Sequence, residues 1–223
     1  MGKASGGLGK GEFDMLGGKV VRIPLVATLC VALCYLTISS CTLQQLDAAA
    51  VATGGAKNEV VRAANEVLDA LRTRDGDQLA SLVHPEKGVR FSPSAYVDIE
   101  TDLVFSPDQV KRFWTDRRTY MWGYADGTGD PINMTPDQYL PKYVLSRDFR
   151  HPSSINVNDD QASGNTNNNA ATVYPAGTRV EYYSQPSVRD AVDQHDWAAL
   201  RLVFERIDGS WFLVGVIHDQ WSV

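Results

Sequence analysis

Two runs rich in β-branched and aromatic residues, Trp197 to Ile207 and Ser210 to Trp221, are joined by Asp208-Gly209. An Asp-Gly link between such runs predicts a long β-hairpin, because both central residues of the favoured turn take positive φ. A two-residue turn sets the register. Ile207 faces Ser210, Arg206 faces Trp211, Phe204 faces Leu213, Leu200 faces Ile217 and Ala198 faces Asp219. Paired residues share a face. One face then carries Leu200, Leu202, Phe204, Trp211, Leu213 and Ile217, with Gly215 and Asp219, and is the expected core face. The other carries Trp197, Arg201, Val203, Glu205, Phe212, Val214, Val216, His218 and Gln220.

Earlier in the chain, Val60, Ala64, Val67, Leu68 and Leu71 recur at the spacing of one helical face, predicting an amphipathic helix over 58–74. Gly76 ends it, and a second helix, 77–83, stops at His84-Pro85, since the residue before proline leaves the helical region. Alternation predicts short strands at 89–91 and 95–99. Ser106-Pro107-Asp108-Gln109 and Thr135-Pro136-Asp137-Gln138 each read as a capped helix start, predicting helices over 107–116 and 136–140, the latter resuming past Pro141. Tyr120 to Tyr124 and Thr178 to Ser184 are strand-like, and 151–172 is a long Asn-rich polar loop.

The N-terminus does not share this patterning. Lys10, Lys19 and Arg22 precede an apolar run from Ile23 to Ile38, followed by Ser39-Ser40-Cys41. Ile38-Ser39-Ser40-Cys41 resembles a bacterial lipobox, which implies diacylglycerol on Cys41 as the mature N-terminus. An uncleaved membrane span is the alternative. Met15 offers an internal start beside Met1. The expected organisation is a signal peptide over 1–41, a small-residue tether over 42–57 and one α+β domain over 58–223. Residues 1–40 hold four of the 21 basic and two of the 27 acidic residues, so cleavage takes the net charge from −6 to −8. That balance argues against nucleic acid and against adhesion to anionic headgroups, leaving membrane attachment to the acyl chains. With Cys30 and Cys34 removed and Cys41 acylated, no structural disulfide remains possible.

Leu79-Ala80-Ser81-Leu82-Val83-His84-Pro85 after the first helix, and the closing Leu200 to Glu205 and Gly209 to Val214, are similar to the nuclear transport factor 2-like superfamily, which includes ketosteroid isomerases and SnoaL-like cyclases. The resemblance spans about Asn58 to Val223. It implies a curved antiparallel sheet packed on N-terminal helices, a cone whose mouth holds a ligand or an acid/base residue, and an outer sheet face that dimerises. The segments HPEKGVRFSP and HDQW also resemble those of uncharacterised bacterial lipoproteins.

Candidate chemistry follows from the register. Asp219, on the apolar face, is the leading acid or base, because a carboxylate against apolar walls holds its proton to higher pH. His84, near the expected mouth, is the second. His218 points the other way from Asp219, so the neighbours form no dyad. Arg90, Tyr96 and Asp98, with the alternating aromatics Trp122 and Tyr124, are candidate ligand contacts, although they fit the solvated side of a sheet and an aromatic core equally well. No phosphate-binding glycine loop, serine elbow or metal-spaced histidine pair occurs, so no cofactor or metal is expected. The favoured reading is a lipid-anchored, extracytoplasmic domain of the bacterial cell envelope that binds a small molecule or an envelope partner protein without catalysis. The alternatives are a hydrolase or isomerase on the same fold, and a structural protein that homodimerises through Val203, Phe212, Val214 and Val216.

Overall fold

The computed structural model describes residues 54–125, 127–159, 167–185 and 196–221. The leader, both candidate initiators, Cys41 and most of the tether lie outside these residues. Helix α1 occupies 54–73 and so includes the last positions assigned to the tether. Its apolar stripe, Val60, Ala64, Val67, Leu68 and Leu71, is buried. Asp75 accepts the Gln78 N–H through its side chain at 2.9 Å and starts α2 (Gly76–Leu82).

Strand β1 (Val89–Ser92) forms as expected, but its partner β2 lies at Leu103–Phe105 and not at 95–99. The Asp98 side chain accepts the N–H groups of Glu100 and Thr101, giving the backbone a turn in place of a ladder. The Ser106 and Gln109 side chains cap each other's backbone at the start of α3 (Pro107–Val110), which gives way to turns well before 116. β3 (Tyr120–Tyr124) and β4 (Pro131–Met134) make a separate two-stranded sheet. α4 (Pro136–Tyr139) runs on through Pro141 as a wide π turn over Leu140–Val144, closed by Leu145 N–H donating to Leu140 O at 2.8 Å. Within the expected polar loop stand β5 (Ser154–Val157) and α5 (Ala170–Val173), followed by β6 (Thr178–Ser184), β7 (Ala198–Ile207) and β8 (Ser210–Gln220).

The large sheet is curved, open and ordered β2-β1-β8-β7-β6-β5, antiparallel apart from a parallel β1–β8 pair. The hairpin register corrects the sequence expectation halfway along. From the turn to Phe204–Leu213 the pairs are those expected, but Val203 pairs with Gly215, leaving Val214 as a bulge residue. Past the bulge, Leu202 faces Val216, Leu200 faces His218 and Ala199 faces Asp219. Since successive residues alternate faces, one extra residue exchanges the two sides of the remaining strand.

Helices and sheet bury a main core that includes Phe91, Tyr182, Leu200, Leu202, Phe204, Leu213 and Val216. The opposite face carries a second, smaller core of Val97, Ala170, Tyr174, Val203, Val214 and Ile217. That face is covered by the chain itself. Asn169 clamps the cover by accepting from Val97 N–H at 2.8 Å and donating to Val97 O at 2.9 Å. The expected free apolar face is therefore absent: Val203, Val214 and Val216 are buried within the chain, and Phe212 is half-buried.

Candidate functional site

The core between the helices and the curved sheet, where the resemblance implied the interior of a cone, is packed with rings. Phe91, Phe105 and Phe113 meet Trp122 edge-on or tilted at 5.3 to 6.4 Å, and Trp122 stacks on Tyr139 at 3.7 Å. Tyr139 stacks in turn on Tyr143 at 4.9 Å, and the Tyr143 ring meets His218 edge-to-face at 5.6 Å. The column ends in a cavity of about 60 Å³ bordered by Pro93, Ser94, Ala95, Ala125, Tyr143, His218, Asp219 and Gln220. The bulge brings His218 inside. Neither of its buried ring nitrogens has a well-formed hydrogen bond. Burial pushes the imidazole down to about 4, with the Gln220 side chain and the Tyr143 backbone pulling weakly the other way. His218 is therefore a neutral imidazole at pH 7.

Asp219 also borders this cavity, but its side chain turns to the opposite face of the sheet. Its carboxylate accepts from Arg201 Nη2 at 2.6 Å, and Arg201 Nε donates to Glu181 at 2.5 Å, all three side chains being buried. Nearby on that face, Arg90 Nη1 donates to the carbonyls of Asp102 (2.8 Å) and Ile99 (3.2 Å), and the Asp102 carboxylate accepts from Ser92 Oγ at 2.5 Å and Asp98 N–H at 3.0 Å. Burial pushes Asp102 up to about 6 against the pull of these donors and Arg90. These groups lock the loop from Pro93 to Asp102 onto the sheet.

The remaining expected site residues are dispersed. His84 is buried, and its Nδ1 accepts the N–H groups of Glu86 (3.2 Å) and Lys87 (3.0 Å), a turn-capping position. Arg90 and Asp98 belong to the locked loop, Trp122 is wholly buried in the aromatic column, and Tyr96 and Tyr124 are exposed. None of them borders the mouth cavity. Among the described residues no cluster of His, Cys, Asp and Glu could hold a metal ion, and no helix is long and apolar enough to cross a membrane.

A two-layer arrangement of N-terminal helices in a curved open sheet can be compared with solved folds. The chain is similar to nuclear transport factor 2-like proteins. A nuclear transport factor 2-like protein with a cystatin-like fold from Novosphingobium aromaticivorans is 10% identical, with 78% of this chain and 86% of that one covered and a TM-score of 0.40. Aln2 from a Streptomyces species is 11% identical over 74% of this chain and 90% of its own, at 0.38. A protein of the DUF4783 family from Bacteroides ovatus is 8% identical over 71% and 94%, at 0.26. No family model matches the chain, and no curated protein matches it.

The inward residues that sequence reasoning does not single out are His218 and Tyr143. The available signal for His218 is Gly215, since glycine inside a strand often marks a bulge or a close approach. Here both hold: a Cβ on Gly215 would lie 3.0 Å from Tyr174 Oη. Tyr143 has no such signal, because its position depends on the π turn that follows Pro141.

Proposed function

We propose that the chain is a lipid-anchored, extracytoplasmic domain that binds a small molecule without transforming it. The observation that carries this reading is the filled cone. Ligand sites enclose several hundred Å³, whereas about 60 Å³ is left here at the mouth. His218 and Asp219 both border this space, but their side chains lie on opposite faces of the sheet and the Asp219 carboxylate is held by Arg201. A ligand thus meets the outside of the cone. The test is a fragment screen on the full chain that reads binding and product together. Binding without product is the expected result. Turnover that disappears in His218→Gln or Asp219→Asn would replace this reading with catalysis. The anchor has its own test: the mass of the mature N-terminus should correspond to diacylated Cys41, and an intact Met1 or Met15 end would reject it.

A further inference from the structure

Outside the cone, α1 and the segment from Leu145 to Arg150 enclose a groove of about 450 Å³, within the size range of ligand sites. Its lining contains three guanidinium groups, Arg72, Arg147 and Arg150, against a single carboxylate, Asp148. Asp69 and Asp196, just outside the lining, pair with Arg150 and Arg147, so on a chain of net charge −6 the groove concentrates guanidinium groups without a net positive charge. Half-buried Leu145 supplies the accessible apolar surface of the floor, and Leu68 and Phe149, at 1% and 2% exposure, complete it as buried core. Arg72 lies in the last turn of α1, where the helix carbonyls favour a cation, but that does not account for two more arginines on the facing segment.

The three guanidinium groups differ in how they are held: Arg147 and Arg150 are ion-paired. Arg72 is exposed, has no side-chain hydrogen bond among the described residues, and acts through space on Asp148, whose carboxyl is held low mainly by its bond to His151. Arg150 pairs with Asp69 at 2.9 Å and Arg147 with Asp196, both at the surface with half-exposed carboxylates. Exposed pairs of this kind contribute at most about 1 kcal/mol, so an incoming anion exchanges them at little cost. Guanidinium forks match carboxylate and phosphate oxygens, and the floor suits a short hydrocarbon. Resting on the binding reading above, we infer that this groove is the ligand site and that it takes a small amphiphilic anion, a carboxylate or phosphate head on an apolar body.

The test is isothermal titration of the full chain with octanoate, octyl phosphate, inorganic phosphate and octyl glucoside, each below its micellar concentration. Octanoate and octyl phosphate should saturate, inorganic phosphate should bind at least about tenfold more weakly, and octyl glucoside should give no binding. Arg72→Gln should weaken both anions about tenfold, the loss of one charge-assisted bond, with the melting temperature unchanged. The assignment is overturned if neither anion binds, if octyl glucoside binds as tightly as octanoate, if phosphate alone matches octyl phosphate, or if Arg72→Gln changes nothing. Each of these leaves the binding reading standing, because the fragment screen tests it separately. Release of octanol from octyl phosphate would instead reject the binding reading and keep the groove.

Discussion

Two buried titrating residues act on stability in opposite directions. His218 protonates at about 4 in the folded chain against an ordinary value of 6.5, so the unfolded chain binds the proton first. Its contribution is fully present above pH 6.5 and is lost as pH falls toward 4, a change of about 3 kcal/mol. Asp102 is raised from 3.8 to about 6, so its carboxylate is tolerated less well folded than unfolded. Its contribution is present below pH 3.8 and lost as pH rises through 6, again by about 3 kcal/mol. Between pH 4 and 6 the two nearly cancel. Relative to the natural chain, Asp102→Asn should make stability rise with pH across this window, and His218→Gln should make it fall. Denaturant titrations at several pH values measure both slopes, and slopes of the same sign in the two variants would contradict the assignment. Neither perturbation is legible in the sequence. Asp102 is one acidic residue among many, and its burial depends on the loop that Arg90 and Ser92 pin down.

At the scale of elements, the hairpin turn and its first pairs follow from Asp208-Gly209, while its far half does not. One inserted residue, Val214, decides which of Ile217 and Val216, and which of Asp219 and His218, points inward. The capped starts at Ser106 and Thr135 and the stripe of α1 are equally legible, because each depends on residues within one or two turns. The strand expected at 95–99 fails because Asp98 satisfies its neighbours locally. Gly215→Ala should cost about 1–3 kcal/mol through overpacking against Tyr174. Tyr174→Phe should recover part of that cost, which a double-mutant cycle measures by thermal unfolding. Gly88→Ala should cost more, about 2 kcal/mol from its positive φ alone. Its Cβ would also meet the Phe105 carbonyl oxygen at 2.4 Å, with φ at +68°. Equal stability of Gly88→Ala and the natural chain would show that β1 and β2 are not joined as described.

For the whole molecule, the Glu181–Arg201–Asp219 cluster joins β6, β7 and β8 on the face of the sheet that carries the smaller core. Arg201→Met leaves two buried carboxylates without their shared cation and should cost about 3–5 kcal/mol, read from chemical denaturation. A loss under 1 kcal/mol would mean that water reaches the cluster. The sheet order carries a kinetic consequence as well. β8, the latest element in the sequence, lies between β1, among the earliest, and β7. A chain halted at Gly209 holds two unconnected ribbons, β2-β1 and β7-β6-β5, with the strand that joins them not yet made. Sheet closure then waits for the synthesis of β8, and pairing of such distant segments is slow. Until then β1 and β7 each present an unpaired edge, the kind of surface on which misassembly begins.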